Sequence, residues 1–207
     1  MRIMASTTIS HVGDVLSSLL LPPAADGHAR FSRAAYHHLA ETGLINSDSR
    51  VELIDGEIYM MSPIGPPQGS FITRLSEFFF GRLDKKLACR VQLPIIVSDH
   101  SEPEPDIAIV RRRDDDYRNE HPTTNDVALL IEVSQSSLHV DLGIKLRLYA
   151  SAGIREYWVI DVDRQNVVVH RDPAGAQYRT VEQVVAGAKI APLAAPNCQL
   201  DVAWLFH

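Results

Sequence analysis

Two acids stand in this sequence where acids are expensive. Glu132 lies near the end of VALLIEV (127–133), a run that is otherwise apolar on both faces, and Asp106 heads DIAIV (106–110), which follows Pro103 and Pro105. Continuous apolar runs belong to central strands covered on both sides, and an unpaired carboxylate in such a strand takes up a proton or acquires a positive partner. If the two runs are neighbouring strands, their carboxylates meet at one end of a sheet. They then offer the hard oxygen ligands that Mg²⁺ or Mn²⁺ prefers, with coordination positions left for water and a phosphate oxygen. A divalent cation relieves their mutual repulsion. The same acids also admit a purely structural arrangement, Asp106 capping its strand and Glu132 pairing with an internal arginine, since structural ion pairs perturb carboxylates too.

Lys145 follows on a predicted helix. Its neighbours three and four positions away are Asp141, Leu142, Leu148 and Tyr149, so its stem runs along a largely apolar stripe toward the sheet. An ammonium there can orient or deprotonate an attacking water and stabilise charge on a phosphorane. The alternative is a snorkelling lysine paired with Asp141.

The elements that must position these groups follow from local signals. Ser32 caps a short helix that runs to Thr42 and stops at Gly43. Residues 51–54 and 58–61 flank Asp55 and Gly56, a dipeptide suited to a tight hairpin turn. Pro63, Gly65, Pro66, Pro67 and Gly69 make a stiff loop. From Ser70, the spacing of Phe71, Leu75, Phe78, Phe79, Leu83 and Leu87 predicts an amphipathic helix of about four to five turns. Alternation at Val91, Leu93, Ile95 and Val97 predicts a half-buried strand, and Pro94 puts it near a sheet edge. A helix over 142–152 ends at Gly153, a strand follows at 157–160, and 163–166 turns it into 167–170. The C-terminal stretch reads as a β-rich extension, with Trp204, Leu205 and Phe206 packing back onto the core. This order indicates an α/β domain with a mixed β-sheet flanked by helices, an N-terminal helix and a β-hairpin. Residues 1–29 are expected to be loosely ordered and 30–207 to form a single domain.

Composition narrows the function. At 207 residues and 23.0 kDa, one core suffices, so a metal here would serve chemistry rather than hold the fold together. A net charge of −6 and a pI near 5.8 exclude coating of nucleic acid through bulk positive charge. Cys89 and Cys198 belong to no CxxC pair, which argues against a disulfide framework or a thiolate zinc site and fits a reducing cytoplasm. The run VLSSLLL (15–21) is far short of the roughly 20 residues of a membrane span, and Asp14 spoils it as a secretion signal. Arg111 to Arg113, followed by Asp114 to Asp116, reads as a solvated loop whose charges nearly cancel. The nine histidines show no paired ligand spacing, and no phosphate-binding glycine loop is present. Tyr149, Tyr157 and Trp158 read as core residues.

The ordered segments VELIDGEIYMMSPIGP (51–66), PEPDIAIV (103–110), LLIEVSQSS (129–137) and DLGIKLRLYASAGIREYWVID (141–161) resemble the Uma-type family of restriction-endonuclease-like proteins, within the PD-(D/E)xK nuclease superfamily. The likeness runs from about residue 30 to the C-terminus. It implies a restriction-endonuclease-like fold and metal-dependent cleavage of phosphodiesters, with DNA the expected substrate. Asp106 matches the first acid of the superfamily and Glu132 the second. Ser134 departs from it, standing where the superfamily usually has lysine, and Lys145 occupies the position of a helix-borne family lysine. Glu52 matches a further acid able to complete the metal shell, with Glu57 as the alternative and a surface strand position as the structural reading of Glu52. Gln68 stands where many relatives carry a histidine.

The expectation is therefore a cytoplasmic, homodimeric nuclease dependent on Mg²⁺ or Mn²⁺. Asp106 and Glu132, assisted by the Val133 carbonyl, hold the metal, Lys145 positions water, and Glu52 supports the shell. The rival is a catalytically weakened nuclease fold kept as a module that binds nucleic acid or a protein partner, suggested by Ser134 and the acidic charge.

Overall fold

The computed structural model describes residues 20–21, 28–46 and 49–207; the expectation for residues 1–19 and 22–27 lies outside them. The chain divides into two compact units. One comprises the residues up to Met61 together with Ser98–Glu102, and the other Ser62–Val97 together with Pro103–His207.

In the first unit, β1 (Leu20–Leu21) pairs antiparallel with β2 (Arg30–Phe31). Helix α1 (Arg33–Glu41) is capped by Ser32, whose hydroxyl accepts from the Ala35 N–H at 3.1 Å. Strands β3 (Val51–Ile54) and β4 (Glu57–Met60) form the expected hairpin. Its turn residues Asp55 and Gly56 have φ of 49° and 76°, the left-handed pair that matches the twist of two strands. Gly56 is required for a second reason, since a Cβ there would come within 2.5 Å of the Arg30 Cβ. Glu102 is buried and its carboxylate takes Arg33 Nε at 2.6 Å and His37 Nε2 at 3.1 Å, tying the 98–102 segment to α1.

The second unit is built on a six-stranded sheet in the order β10-β9-β8-β7-β6-β5. Its strands are β5 (Leu87–Val91), β6 (Ile107–Arg111), β7 (Val127–Ser134), β8 (Glu156–Asp161), β9 (Asn166–Ala174) and β10 (Gln177–Val185). All neighbours run antiparallel except β7 and β8. A parallel pair needs a crossover, and here a helical passage supplies it: α3 (Leu138–Val140), a π-helical turn (Asp141–Lys145) and α4 (Leu146–Ser151). Helix α2 (Pro66–Phe80) precedes the sheet. A small β11 (Lys189–Ile190) and β12 (Leu200–Asp201) pair and helix α5 (Val202–Phe206) close the chain. The architecture is the mixed sheet flanked by helices that the element order indicated.

Strand alternation sorts β7 cleanly. Leu129, Ile131 and Val133 join Leu75, Phe79, Ile107, Trp158 and Leu205 in one apolar core, each fully buried aliphatic or aromatic side chain contributing roughly 1.5–3 kcal/mol. Leu130, Glu132 and Ser134 therefore face the opposite side of the sheet.

Four boundaries differ from expectation. Helix α2 begins at Pro66 rather than Ser70, because prolines are harmless in the first helical turn, where their missing N–H has no partner anyway. It ends before Gly81, so Leu83 lies beyond it and Leu87 opens β5. The alternating 91–97 segment is not a strand past Val91: Gln92 takes a left-handed φ of 48° and turns the chain out of the sheet. The crossover helix starts at Leu138 and contains the π turn, which apolar spacing does not reveal. In the C-terminal segment Leu205 is buried, whereas Trp204 is 44% exposed.

Beyond the crossover helix, His170 stacks on Tyr157 with ring centroids 5.6 Å apart. Burial pushes the His170 imidazole below its ordinary value near 6.5, outweighing two backbone hydrogen bonds that act the other way. A depressed folded value means that the neutral ring contributes stability above the ordinary pKa, and that this is lost as pH falls toward the folded value. Urea denaturation of the wild type should therefore show declining stability from about pH 7.5 to about pH 5.5. His170→Phe should show a flatter profile, and equal slopes for the two proteins would contradict this account.

Candidate active site

Strands β6 and β7 are antiparallel neighbours with Ile107 opposite Ile131, so Asp106, one residue before β6, meets Glu132 at the end of the sheet. The Asp106 N–H donates to Glu132 Oε2 at 3.3 Å, and the Val133 N–H donates to Asp106 Oδ2 at 2.8 Å. The two acids are thus laced together through main chain as well as by proximity. Two carboxamides complete the first: Gln92 Nε2 reaches Asp106 Oδ1 at 3.3 Å and Gln68 Nε2 reaches Oδ2 at 3.4 Å. Glu132 Oε1 accepts from Lys145 Nζ at 3.0 Å and from the Tyr149 hydroxyl at 3.2 Å. Asp106, Glu132 and Lys145 are all less than a tenth exposed.

Burial raises the Asp106 pKa above the ordinary carboxylate value, and the nearby Asp141 charge adds to this. The Val133 N–H, the Lys145 ammonium and Gln92 oppose it without cancelling it. The cation beside Glu132 is a lysine from the crossover helix, not an arginine. Asp141 is occupied from elsewhere: its Oδ2 accepts from the hydroxyls of Ser134 and Ser137, each at 2.6 Å.

Glu52 belongs to the first unit, on β3 opposite Tyr59. At 4% exposure it is not an outward-facing surface residue. Glu57 lies at the start of β4, half exposed, with Arg30 Nη1 at 3.3 Å. Arg111 to Arg113 lie at the end of β6 remote from Asp106. There Arg113 forms a bidentate pair with Asp115 at 2.9 and 2.8 Å, and Arg112 donates to the carbonyls of Lys85 and Leu87.

Gln92 gives no signal in the sequence: its backbone is left-handed, a conformation that non-glycine residues adopt only occasionally. Gln68, which the sequence marks only as a departure from relatives, also reaches Asp106. The Tyr149 ring sits in the core, as its apolar surroundings in the sequence indicate, and its hydroxyl bonds Glu132, which those surroundings do not reveal.

Among the described residues, no three of His, Cys, Asp and Glu converge in a metal-holding group. Two adjacent carboxylates form an all-oxygen donor set, which suits Mg²⁺ or Mn²⁺ and not a soft metal. Magnesium is commonly held by one or two carboxylates together with waters and phosphate oxygens.

A helix, three antiparallel strands, a crossover helix and a parallel strand, with paired acids at one end of the adjacent strands, define the restriction-endonuclease-like class. The chain belongs to the Uma2 family, described as "Putative restriction endonuclease", whose model matches residues 33–203. The fold is shared with a solved structure described as "a putative nuclease belonging to DUF820" from Anabaena variabilis. The TM-score is 0.66 at 19% identity, covering 80% of this chain and 94% of that one. No curated protein matches.

Proposed function

We propose that the protein is an endonuclease dependent on Mg²⁺ or Mn²⁺ that hydrolyses phosphodiester bonds, with DNA as substrate. The observation that carries this reading is the buried, contiguous set Asp106, Glu132 and Lys145, joined by hydrogen bonds of 3.0 to 3.3 Å. In it, Asp106 and Glu132 hold the cation with help from the Val133 carbonyl. When bound, the cation would polarise the scissile phosphate and lower the pKa of its water. The protein's own groups do the rest. The Val133 N–H, Gln92 and Gln68 keep the Asp106 oxygens in one orientation, and Tyr149 does the same for Glu132. Lys145 presents a fixed ammonium that orients the attacking water and stabilises negative charge on the reacting phosphate, with no reorganisation needed during reaction. Glu52→Gln, in the first unit, tests the accessory role expected from the sequence: unchanged activity would remove it.

The deciding experiment is digestion of mixed DNA and RNA with and without Mg²⁺ or Mn²⁺, beside an Asp106→Ala control. Cation-dependent cleavage that the control lacks is expected. Duplex binding without metal and without cleavage would favour the rival, a binding module. Calorimetric titration with Mg²⁺ or Mn²⁺ should give heat for the wild type and none for an Asp106→Ala, Glu132→Ala double variant, and equal heats would remove these ligands from the reading.

No helix among the described residues is long and apolar enough to cross a membrane, and Cys89 and Cys198 are free thiols, which agrees with a reducing cytoplasm. A two-fold homodimer would present two sites related as the antiparallel strands of a duplex are. Light scattering at micromolar concentration should report twice 23.0 kDa, and a monomer alone would contradict the dimer.

A further inference from the structure

We propose that Ser134, Ser137 and Asp141 form a clamp that holds the π turn and thereby aims Lys145 at Glu132. On this view Ser134, in the slot where the superfamily usually places lysine, is a positioning residue rather than the trace of a lost catalytic group. The role given to Lys145 rests on the nuclease reading above; the clamp itself rests on geometry.

Asp141 and Lys145 open and close the π turn. In a regular α-helix, residues four apart share a face and an Asp–Lys pair at that spacing attracts itself. That arrangement would direct the ammonium to Asp141. A π turn closes by i→i+5 bonds, is wider, and is found mostly as single turns at functional sites. Here the Lys145 ammonium reaches Glu132 at 3.0 Å, while Asp141 is held by two hydroxyls at 2.6 Å. Bonds of that length between a hydroxyl and a carboxylate are of the strong, charge-assisted kind.

The clamp draws on three elements. Ser134 comes from β7, Ser137 from the loop before α3, and from β8 the Tyr157 hydroxyl donates to the Asp141 carbonyl at 3.1 Å. Ser134, Asp141 and Lys145 are buried, so these bonds are shielded from competing water.

The spacing explains why the two ends match. Glu132 and Ser134 are two apart on β7 and share a face, which separates them by about 7 Å. Asp141 and Lys145 stand at opposite ends of one wide helical turn, which advances a comparable few ångströms. The crossover helix runs back along β7, so Asp141 meets Ser134 as Lys145 meets Glu132. One strand face thus pins both ends of the turn. A hydroxyl at 134 fills the short gap to Asp141, and the helix delivers the charge that the strand does not.

The test combines a thermodynamic cycle with kinetics. Urea denaturation of Ser134→Ala, Lys145→Met and the double variant reads the coupling without needing activity. If the clamp aims Lys145, the loss on Lys145→Met should be smaller in the Ser134→Ala background, by about five-fold or more in the unfolding equilibrium constant. Additive losses would overturn the clamp. In cleavage assays, Ser134→Ala and the milder Ser137→Ala should lower kcat by about 10- to 100-fold, the scale of a displaced catalytic group. KM and the heat of Mg²⁺ binding should stay unchanged, and Ser134→Thr, which keeps the hydroxyl, should recover most of the rate. Full kcat in both alanine variants would also overturn the clamp. A wild type that cleaves nothing would sink the nuclease reading instead, and the cycle would still decide the clamp.

Discussion

Lys145→Met is expected to lower the rate of metal-dependent cleavage by about 10²- to 10³-fold, comparable with removal of one preorganised electrostatic group at a transition state. The heat of Mg²⁺ binding should be no weaker, because Asp106 and Glu132 remain and a competing cation has gone. Methionine keeps the length and apolar stem, so the pocket stays filled. The metal-free protein should lose stability, since removing one partner of a buried pair leaves the other charge uncompensated. About 3 kcal/mol is the lower end of that effect, and it is the appropriate end here because the Tyr149 hydroxyl and the Asp106 N–H still donate to Glu132. Added Mg²⁺ should restore part of the loss by binding the folded state. A folded Lys145→Met protein with unchanged turnover would take Lys145 out of the mechanism.

Asp106→Asn should separate activity from stability with opposite signs. Cleavage should fall by roughly 10³-fold or more, since a metal's share of transition-state stabilisation amounts to several kcal/mol. The metal-free protein should become more stable, because burial is the largest influence on Asp106 and disfavours its charge. An amide oxygen can still accept from the Val133 N–H, while the charge disappears. The gain should appear as a higher Tm for the asparagine variant than for the wild type. Its pH dependence has a definite sign. With the folded pKa raised, the wild-type residue contributes stability while protonated, below the ordinary carboxylate range, and loses it as pH rises through the folded value. The advantage of the asparagine variant should therefore grow across that interval and then level off. Calorimetric melting in chelator-treated buffer measures it, and a variant less stable than the wild type at neutral pH would contradict this account.

Much of this molecule is written locally. The apolar runs of β6 and β7, the Asp55-Gly56 turn, the Ser32 cap and the stop at Gly153 follow from the preferences of a few adjacent residues, and those preferences act before any tertiary contact forms. The same local logic marks Asp106 and Glu132 as anomalies, because a charge in an apolar run is visible without knowing its partner. What tertiary structure alone decided is which groups stand opposite them. Gln68, Gln92 and Tyr149 come from α2, the residue following β5, and the crossover helix, and they converge there through the adjacency and register of β5, β6 and β7. The left-handed Gln92 and the π turn at Asp141–Lys145 leave no trace in apolar spacing. Both are departures from the locally preferred backbone, and hydrogen bonds from neighbouring strands and the adjoining loop accompany them.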